Sequence, residues 1–246
     1  MKDRTEEIFL SDLDPDLKIS CLIRKSKRAR RINLRIRSKE QVILTLPSWT
    51  SYQEGFSFLA NQKKWLEQKV ENLPTIPNLS QYFLAGGQVW LNENPVCLSW
   101  VIDTDRKQLL TESLVDRIHL HLPDTGNVEK CLFNFLRELA REDLKLRLGV
   151  LSREAGLKWK KIRIGNQSTR WGSCSAKKTI SLNWRLILLP YRVANYVIYH
   201  ELAHLKHLNH SAKFWDYLEK LCPNSRVYDR RLLKEGRTVV RLGHQD

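Results

Sequence analysis

The alternation of apolar and polar residues predicts that the N-terminal half of the chain is rich in β-strands. Residues 32–37 alternate strictly, with arginines on one face, and residues 42–46 form an apolar run that Pro47 closes. The short polar link 38–41 predicts a hairpin between them. Residues 1–20 are typical of a short leader or edge strand, with a turn at 14–16. Further short strands are predicted at 82–84, 89–91, 96–102 and 117–122.

Helical spacing appears once in this half and dominates the remainder of the chain. Ser51-x-x-Glu54 is a capping-box pattern that opens a helix running to about Val70. Its buried face would contain Phe56, Leu59, Trp65 and Leu66, and a linker with Pro74 and Pro77 follows. Beyond a break at 123–126, helices are predicted at 128–149, about 192–208 and 212–221, with a helical turn at 226–234 and strands at 159–164, 180–189 and 238–242.

Composition and charge narrow the class of protein. The chain has 246 residues, 42% of them hydrophobic, and this composition is typical of a globular protein. No apolar stretch suits a signal peptide or a bilayer-spanning helix, so we expect a soluble, cytoplasmic protein. The five cysteines are scattered and odd in number, which favours a reducing compartment. The net charge of +15 favours acidic partners, and the basic residues 24–37 are the candidate contact with nucleic acid or nucleotide.

The segment His200-Glu201-Leu202-Ala203-His204 matches the pattern H-E-x-x-H within a predicted helix. Residues four apart lie one turn above each other on one helix face, so two imidazoles can bind one metal ion. Glu201 is then placed to take a proton from a water on that metal. Zinc fits imidazole ligands and needs no redox partner.

A third ligand must come from beyond the helix. His210 is the candidate, and the chain must turn to bring it back, with Asn209 as a left-handed residue and Ser211 as the cap of the next helix. His207 shares the face of His200 but lies ~10 Å further along the axis. Cys174 is another possible ligand. We favour His210 over both.

The segment before this helix offers substrate contacts. Arg170 could bind an oxyanion, phosphate or carboxylate, and Trp171 and Asn183 are further candidates. A strand at 180–186 could hold an extended substrate by backbone pairing. The alternative is that Arg170 and Trp171 only pack a turn.

Four segments together resemble the YgjP-like metallopeptidase family: RKSKRARRINLRIR at 24–37, RWGSCS at 170–175, SLNWRL at 181–186 and HELAHLKHLNHSAKFW at 200–215. The resemblance extends from about residue 20 to 235. It implies a zincin-like domain that holds zinc through His200, His204 and His210, related to SprT- and Wss1-type peptidases. His207 stands where metzincins carry glycine, so their loop geometry does not transfer.

The predicted fold is therefore α+β, with a zincin-like metallohydrolase domain at 126–246 and an N-terminal β-rich domain at 1–125 packed on it. The predicted activity is that of a zinc metallopeptidase acting on peptides or proteins, with Glu201 as the catalytic residue. Two alternatives remain open at this point. One is a metal-dependent UTP pyrophosphatase, an activity attached to one namesake of the family, and the other is a nucleic-acid-associated binding protein.

Overall fold

The computed structural model describes residues 4–9, 18–37, 41–72, 76–106, 108–124 and 126–243. The predicted turn at 14–16, most of the link 38–41 and Pro74 lie outside these residues. The chain divides into two compact units, Met1–Thr75 and Ile76–Asp246. Among the described residues, no helix is both long enough and apolar enough to cross a membrane.

The first unit is built on a mixed four-stranded sheet. Its strands are β1 (Arg4–Phe9), β2 (Lys18–Ser26), β3 (Asn33–Ile36) and β4 (Gln41–Pro47), in the order β1-β2-β4-β3. Strands β3 and β4 pair antiparallel, which confirms the predicted pairing. Strand β1 lies at the edge of the sheet, which agrees with the second of the two alternatives given for residues 1–20. Strand β2, which the alternation analysis missed, runs parallel to β4 at the centre of the sheet.

Two helices cover one face of this sheet where one was predicted. Helix α1 (Tyr52–Asn61) begins with the expected capping box between Ser51 and Glu54, and α2 (Lys63–Glu71) follows after a break at Gln62. Leu59 and Leu66 are buried against the sheet, as predicted. Phe56 packs only at the margin of this core, and the prediction was wrong for Trp65, which is 40% exposed.

The second unit opens with a short helix and a second four-stranded sheet. The sheet contains β5 (Gln88–Leu91), β6 (Asn94–Asp103), β7 (Leu110–Ser113) and β8 (Arg117–Pro123), in the order β5-β6-β8-β7. Residues 82–84, predicted as a strand, belong instead to helix α3 (Leu79–Leu84). The helix forms because Asn78 and Gln81 make a capping box and the Glu129 carboxylate accepts from the first two N–H groups of the helix.

The long helix α4 (Val128–Glu154) continues the same unit. Leu120 on the sheet, Leu136 on α4 and Leu202 further along belong to one hydrophobic core. The sheet and the C-terminal helices therefore form one unit that begins at Ile76, whereas the sequence analysis divided the chain at 125/126. Helix α3 before position 125 and helix α4 after it contact each other and contribute to this one core.

The remaining elements surround the H-E-x-x-H segment. A three-stranded sheet contains β9 (Lys161–Gly165), β10 (Gly172–Cys174) and β11 (Thr179–Asn183), in the order β10-β11-β9. The strand predicted over 180–189 ends at Asn183, because residues Trp184–Leu188 form a buried 3₁₀ turn. Three helices follow, α5 (Tyr191–Ala203), α6 (Ala212–Leu221) and α7 (Ser225–Val239). Helix α7 replaces the helical turn predicted at 226–234 and extends into the tail strand predicted at 238–242, where no strand forms.

Candidate metal centre

Three imidazoles converge at the C-terminal end of helix α5. His200, His204 and His210 each offer a nitrogen, and these atoms lie within 4.8 Å of one another. The Nε2 atoms of His200 and His210 are 2.9 Å apart. Two ligands bound ~2.0–2.1 Å from one tetrahedral ion lie about 3.3 Å apart, so a small rotation of the rings would fit this trio to a zinc-sized cation.

The turn after α5 brings His210 back to the helix. The helix ends at Ala203, about five residues before its predicted end, and Leu205 N–H and Lys206 N–H donate to carbonyls three residues earlier. Such i→i−3 bonds tighten the last turn. The left-handed residue predicted at Asn209 is absent: the non-glycine residues with positive φ in the described chain are Asn92, Glu93, Lys178 and Asn224. Ser211 occupies the N-cap position of α6, but its side chain makes no capping bond.

His207 contributes its backbone to the site, while its ring lies elsewhere. Its carbonyl oxygen accepts from Nδ1 of His204 at 2.9 Å, so Nδ1 carries the hydrogen and Nε2 keeps its lone pair for a metal. The His207 ring packs edge-on against Tyr217 instead. The structure thus brings His210, and not the His207 ring, into the cluster.

A hydrogen-bonded pair that the sequence analysis missed supports His200. The Tyr196 hydroxyl donates to Asp229 Oδ1 at 2.8 Å, and its oxygen lies 3.5 Å from His200 Nδ1. Tyr196 precedes His200 by one helical turn on α5, and Asp229 comes from α7. The Asp229 carboxylate, the Tyr196 hydroxyl and His200 Nδ1 thus lie in a row. With Nδ1 on that side, Nε2 of His200 faces the other imidazoles. The spacing of four residues between Tyr196 and His200 could have indicated Tyr196, whereas no local sequence pattern indicates Asp229.

A buried aromatic ring forms the floor of the cluster. Phe214 on α6 is fully buried, and its ring centroid lies 4.6–5.0 Å from those of His200, His204 and His210. Burial, followed by the neighbouring imidazoles, lowers the pKa of His200 to about 4, and burial also lowers the pKa of His204. Both rings are therefore neutral near pH 7, the form in which imidazole binds a metal.

Glu201 is a buried carboxyl group beside this cluster. It is 5% exposed, and its Oε2 has no hydrogen-bond partner among the described residues. Burial raises its pKa to about 8, and the positive charge of Arg170 opposes this rise. A buried carboxyl oxygen without a hydrogen bond is costly, and a water or an ion bound there would satisfy it. The neutral imidazoles and this unpaired oxygen therefore fit a metal centre with an adjacent proton acceptor.

Strand β10 runs directly against Glu201 because it begins with glycine. A Cβ added at Gly172 would lie 2.6 Å from Glu201 Oε1 and 2.7 Å from its Cγ. No real Cβ could occupy that position without moving the carboxylate. The glycine of the R-W-G-S-C motif therefore sets the distance between the strand and the glutamate.

The three residues predicted to bind substrate have different surroundings. Arg170 is exposed and acts on the pKa of Glu201, and Trp171 lines a cavity of about 190 Å³ together with Gly172, Glu201 and Asp229. Asn183 is fully buried, and its Nδ2 donates to the carbonyls of Gln167 and Arg170. With its side chain enclosed in this way, Asn183 holds the preceding loop in place and is not available to a substrate.

The sequence analysis expected the strand at 180–186, which contains β11, to pair with a substrate. The strand with a free edge beside Glu201 is instead β10. Strand β11 pairs with β9 on one side and β10 on the other, so both of its edges are occupied. Hydrogen bonds from Asn183 N–H to Trp171 O and from Ser175 N–H to Thr179 O show which backbone groups of the β10 segment face β11. They leave the backbone groups of Gly172 and Cys174 pointing away from β11.

Cys174 lies near this site without joining the three imidazoles. Burial, with a contribution from Glu201, raises the pKa of its thiol to about 11. A metal-binding cysteine is a thiolate, so this environment does not favour it as a ligand.

A helix that carries two imidazoles and a following turn that returns a third is the arrangement of zincin-type metallohydrolases. The comparison with protein families agrees, since residues 30–235 match the YgjP-like, metallopeptidase domain. The chain therefore belongs to the YgjP-like metallopeptidase family.

One solved structure is similar to part of the chain: the metallopeptidase zymogen abylysin of Pyrococcus abyssi. The two sequences are 29% identical over a match that spans 38% of this chain and 95% of the abylysin chain, and the TM-score is 0.34. No curated protein matches the chain.

Proposed function

We propose that this chain is a zinc-dependent peptidase in which His200, His204 and His210 hold the ion and Glu201 is the general base. The observation that carries the proposal is the convergence of three imidazole nitrogens within 4.8 Å beside the buried carboxyl of Glu201, whose Oε2 has no hydrogen-bond partner in the described part of the chain. Zn²⁺ supplies a Lewis acid that polarises a carbonyl and lowers the pKa of water.

The residues of the chain divide the remaining work. Glu201 accepts a proton from the attacking water at a carboxylate oxygen and delivers it to the leaving amine. Burial raises the pKa of Glu201, and the positive charge of Arg170 lowers it. A bound cation would lower it further and keep Glu201 ionised near pH 7, the form that can accept a proton. Arg170, exposed beside the site, would stabilise negative charge on the substrate oxygen.

An extended peptide would bind along strand β10. The outward backbone groups of Gly172 and Cys174 offer antiparallel hydrogen bonds, the mode by which sheet edges bind peptides. Because Gly172 contacts Glu201, a peptide on this edge would pass the general base. The cavity lined by Trp171, Tyr196 and Leu232 would then take one substrate side chain.

The test compares zinc-loaded wild type with Glu201→Gln on an unfolded protein substrate and on a panel of nucleoside triphosphates. We expect the wild type to cleave peptide bonds and the variant to lose at least about 100-fold in rate while keeping its zinc. Cleavage that survives Glu201→Gln would reject the mechanism. Glu201-dependent hydrolysis of UTP, without peptide cleavage, would instead favour the pyrophosphatase.

A further inference from the structure

The strongest charged patch of the first unit lies at one end of its sheet. Residues 18–37 contain nine lysines and arginines and no carboxylate. Seven of these cations form what we call the basic surface: Arg24, Lys25, Lys27, Arg28, Arg30, Arg31 and Arg35. Six of the seven are exposed, and Lys25 is half-buried. Within the described part of the chain, none of the seven forms a salt bridge with a carboxylate.

The sheet topology explains why these charges cluster. Strand β4 lies between β2 and β3, with Ser26 opposite Pro47 on one side and Asn33 opposite Thr45 on the other. The connection 27–32 must therefore cross the C-terminal end of β4, spanning about 10 Å between the outer strands. This short crossing concentrates Lys27, Arg28, Arg30 and Arg31 over a single strand end.

An exposed indole emerges at the same strand end. Trp49 follows β4 by two residues and is 68% exposed, an unusual position for the largest apolar side chain. Close by, the ring of Tyr52 at the start of α1 lies 4.8 Å from Lys25 Nζ. The topology thus places an uncovered aromatic ring next to a set of cations without carboxylate partners.

We propose that the basic surface together with Trp49 binds single-stranded nucleic acid. Cations that track a phosphate backbone, combined with an aromatic ring on which a base stacks, are the two components of such sites. Five of the seven cations are arginine, whose guanidinium pairs with phosphate bidentately and stacks on bases. This inference is independent of the proposed peptidase activity.

An anionic membrane is a less suitable partner for this surface. Membrane-surface segments combine positive charge with several apolar side chains that insert together. In the described part of this unit, the exposed large hydrophobic residues are Trp49 and Trp65 alone. One indole at a strand end offers a stacking platform but little area for insertion.

The test measures binding of the full-length protein to a fluorescein-labelled oligothymidylate of about 20 nucleotides by anisotropy, over a series of salt concentrations. A triple variant Arg28→Ala, Arg30→Ala, Arg31→Ala removes three exposed charges from the turn. A control variant Lys130→Ala, Lys145→Ala, Lys158→Ala removes three exposed charges from the second unit, and both have the same net charge. The melting temperature of each variant reports on folding.

We expect the affinity to fall with salt and the triple variant to bind at least about ten-fold more weakly than the control. Its log–log salt dependence should be shallower by about 2, since each phosphate contact on a single strand contributes ~0.7. Trp49→Ala should weaken binding about ten-fold, and Trp49→Phe should keep part of that affinity.

Three results would overturn the proposal. The first is equal loss of affinity in the triple variant and the control, which would mean a diffuse charge effect. The second is tighter binding of a duplex of the same length than of the single strand, with no effect of Trp49→Ala. The third is binding to vesicles of phosphatidylserine and phosphatidylcholine without binding to the oligonucleotide, which would assign the surface to a membrane.

Discussion

The hydroxyl of Tyr196 donates a hydrogen bond of 2.8 Å to the carboxylate of Asp229, and the same hydroxyl faces Nδ1 of His200. Helices α5 and α7 thus meet through a polar contact directly behind one of the three converging imidazoles. Outer partners of this kind fix the tautomer and the orientation of a ligating histidine. The pair is therefore part of the candidate metal centre, although neither residue belongs to the H-E-x-x-H motif.

The first prediction concerns this pair. Tyr196→Phe and Asp229→Asn should each weaken zinc affinity about 10–100-fold, because His200 would lose the group that orients its ring. Competition with a fluorescent zinc chelator measures the affinity. Asp216→Asn, an exposed acid on α6, is the matched control and should bind zinc like the wild type. Unchanged affinity in both variants would show that the pair only joins the two helices.

The second prediction tests the close approach of strand β10 to Glu201. In Gly172→Ala the new Cβ would displace the carboxylate of Glu201. We expect kcat/KM on a peptide substrate to fall about 100-fold, because misplacing a catalytic group by about 1 Å reduces the rate by this order. Zinc content should stay at the wild-type level, since none of the three histidines is touched.

Gly149→Ala supplies the control for this substitution. Gly149 lies in α4, and a Cβ there meets nothing within 4 Å. Alanine is the better helix former, so this variant should be as active as the wild type and stabler by about 0.5–1 kcal/mol. Equal activity of both variants would contradict the role given to Gly172.

The third prediction concerns the start of helix α7, which carries Asp229. The Glu219 carboxylate accepts from the Ser225 hydroxyl, Asn224 N–H and Ser225 N–H, and these bonds lower its pKa. A carboxyl whose pKa is depressed by folding stabilises the protein above its unfolded pKa, near 4.5, and this contribution disappears as the pH falls through the folded value.

The wild type should therefore melt at a higher temperature than Glu219→Gln at pH 7, and the difference should shrink as the pH falls below about 4.5. Thermal unfolding followed by circular dichroism at several pH values measures it. A difference that is constant across this range would mean that the charge of Glu219 plays no part.

The cluster of His200, His204 and His210 was the part of the candidate site most readily predicted from sequence, because the spacing of the first two residues is local. Residues four apart on a helix must share a face, so His200 and His204 could be paired without a structure. The route by which His210 returns was predicted less well: the turn uses i→i−3 bonds and the carbonyl of His207, not a left-handed Asn209.

Tertiary contacts explain where the pattern analysis failed. The alternation of apolar residues from Ile180 to Leu186 predicted one strand, but the strand ends at Asn183. Trp184 and Leu186 belong to the 3₁₀ turn that follows, in which every residue is buried. Short apolar runs cannot separate these cases. Asn183 offered a polar side chain on the expected substrate strand, yet it bonds to the loop before it. The partnership of Tyr196 with Asp229 spans 33 residues, and no local pattern indicates it.

The most direct test of the central claim is the zinc content of purified protein, measured by inductively coupled plasma mass spectrometry after removal of loosely bound metal. We predict one zinc per chain for the wild type and for His207→Ala, whose backbone carbonyl remains in place, and almost none for His210→Ala. Full zinc in His210→Ala together with loss of zinc in His207→Ala would contradict the account.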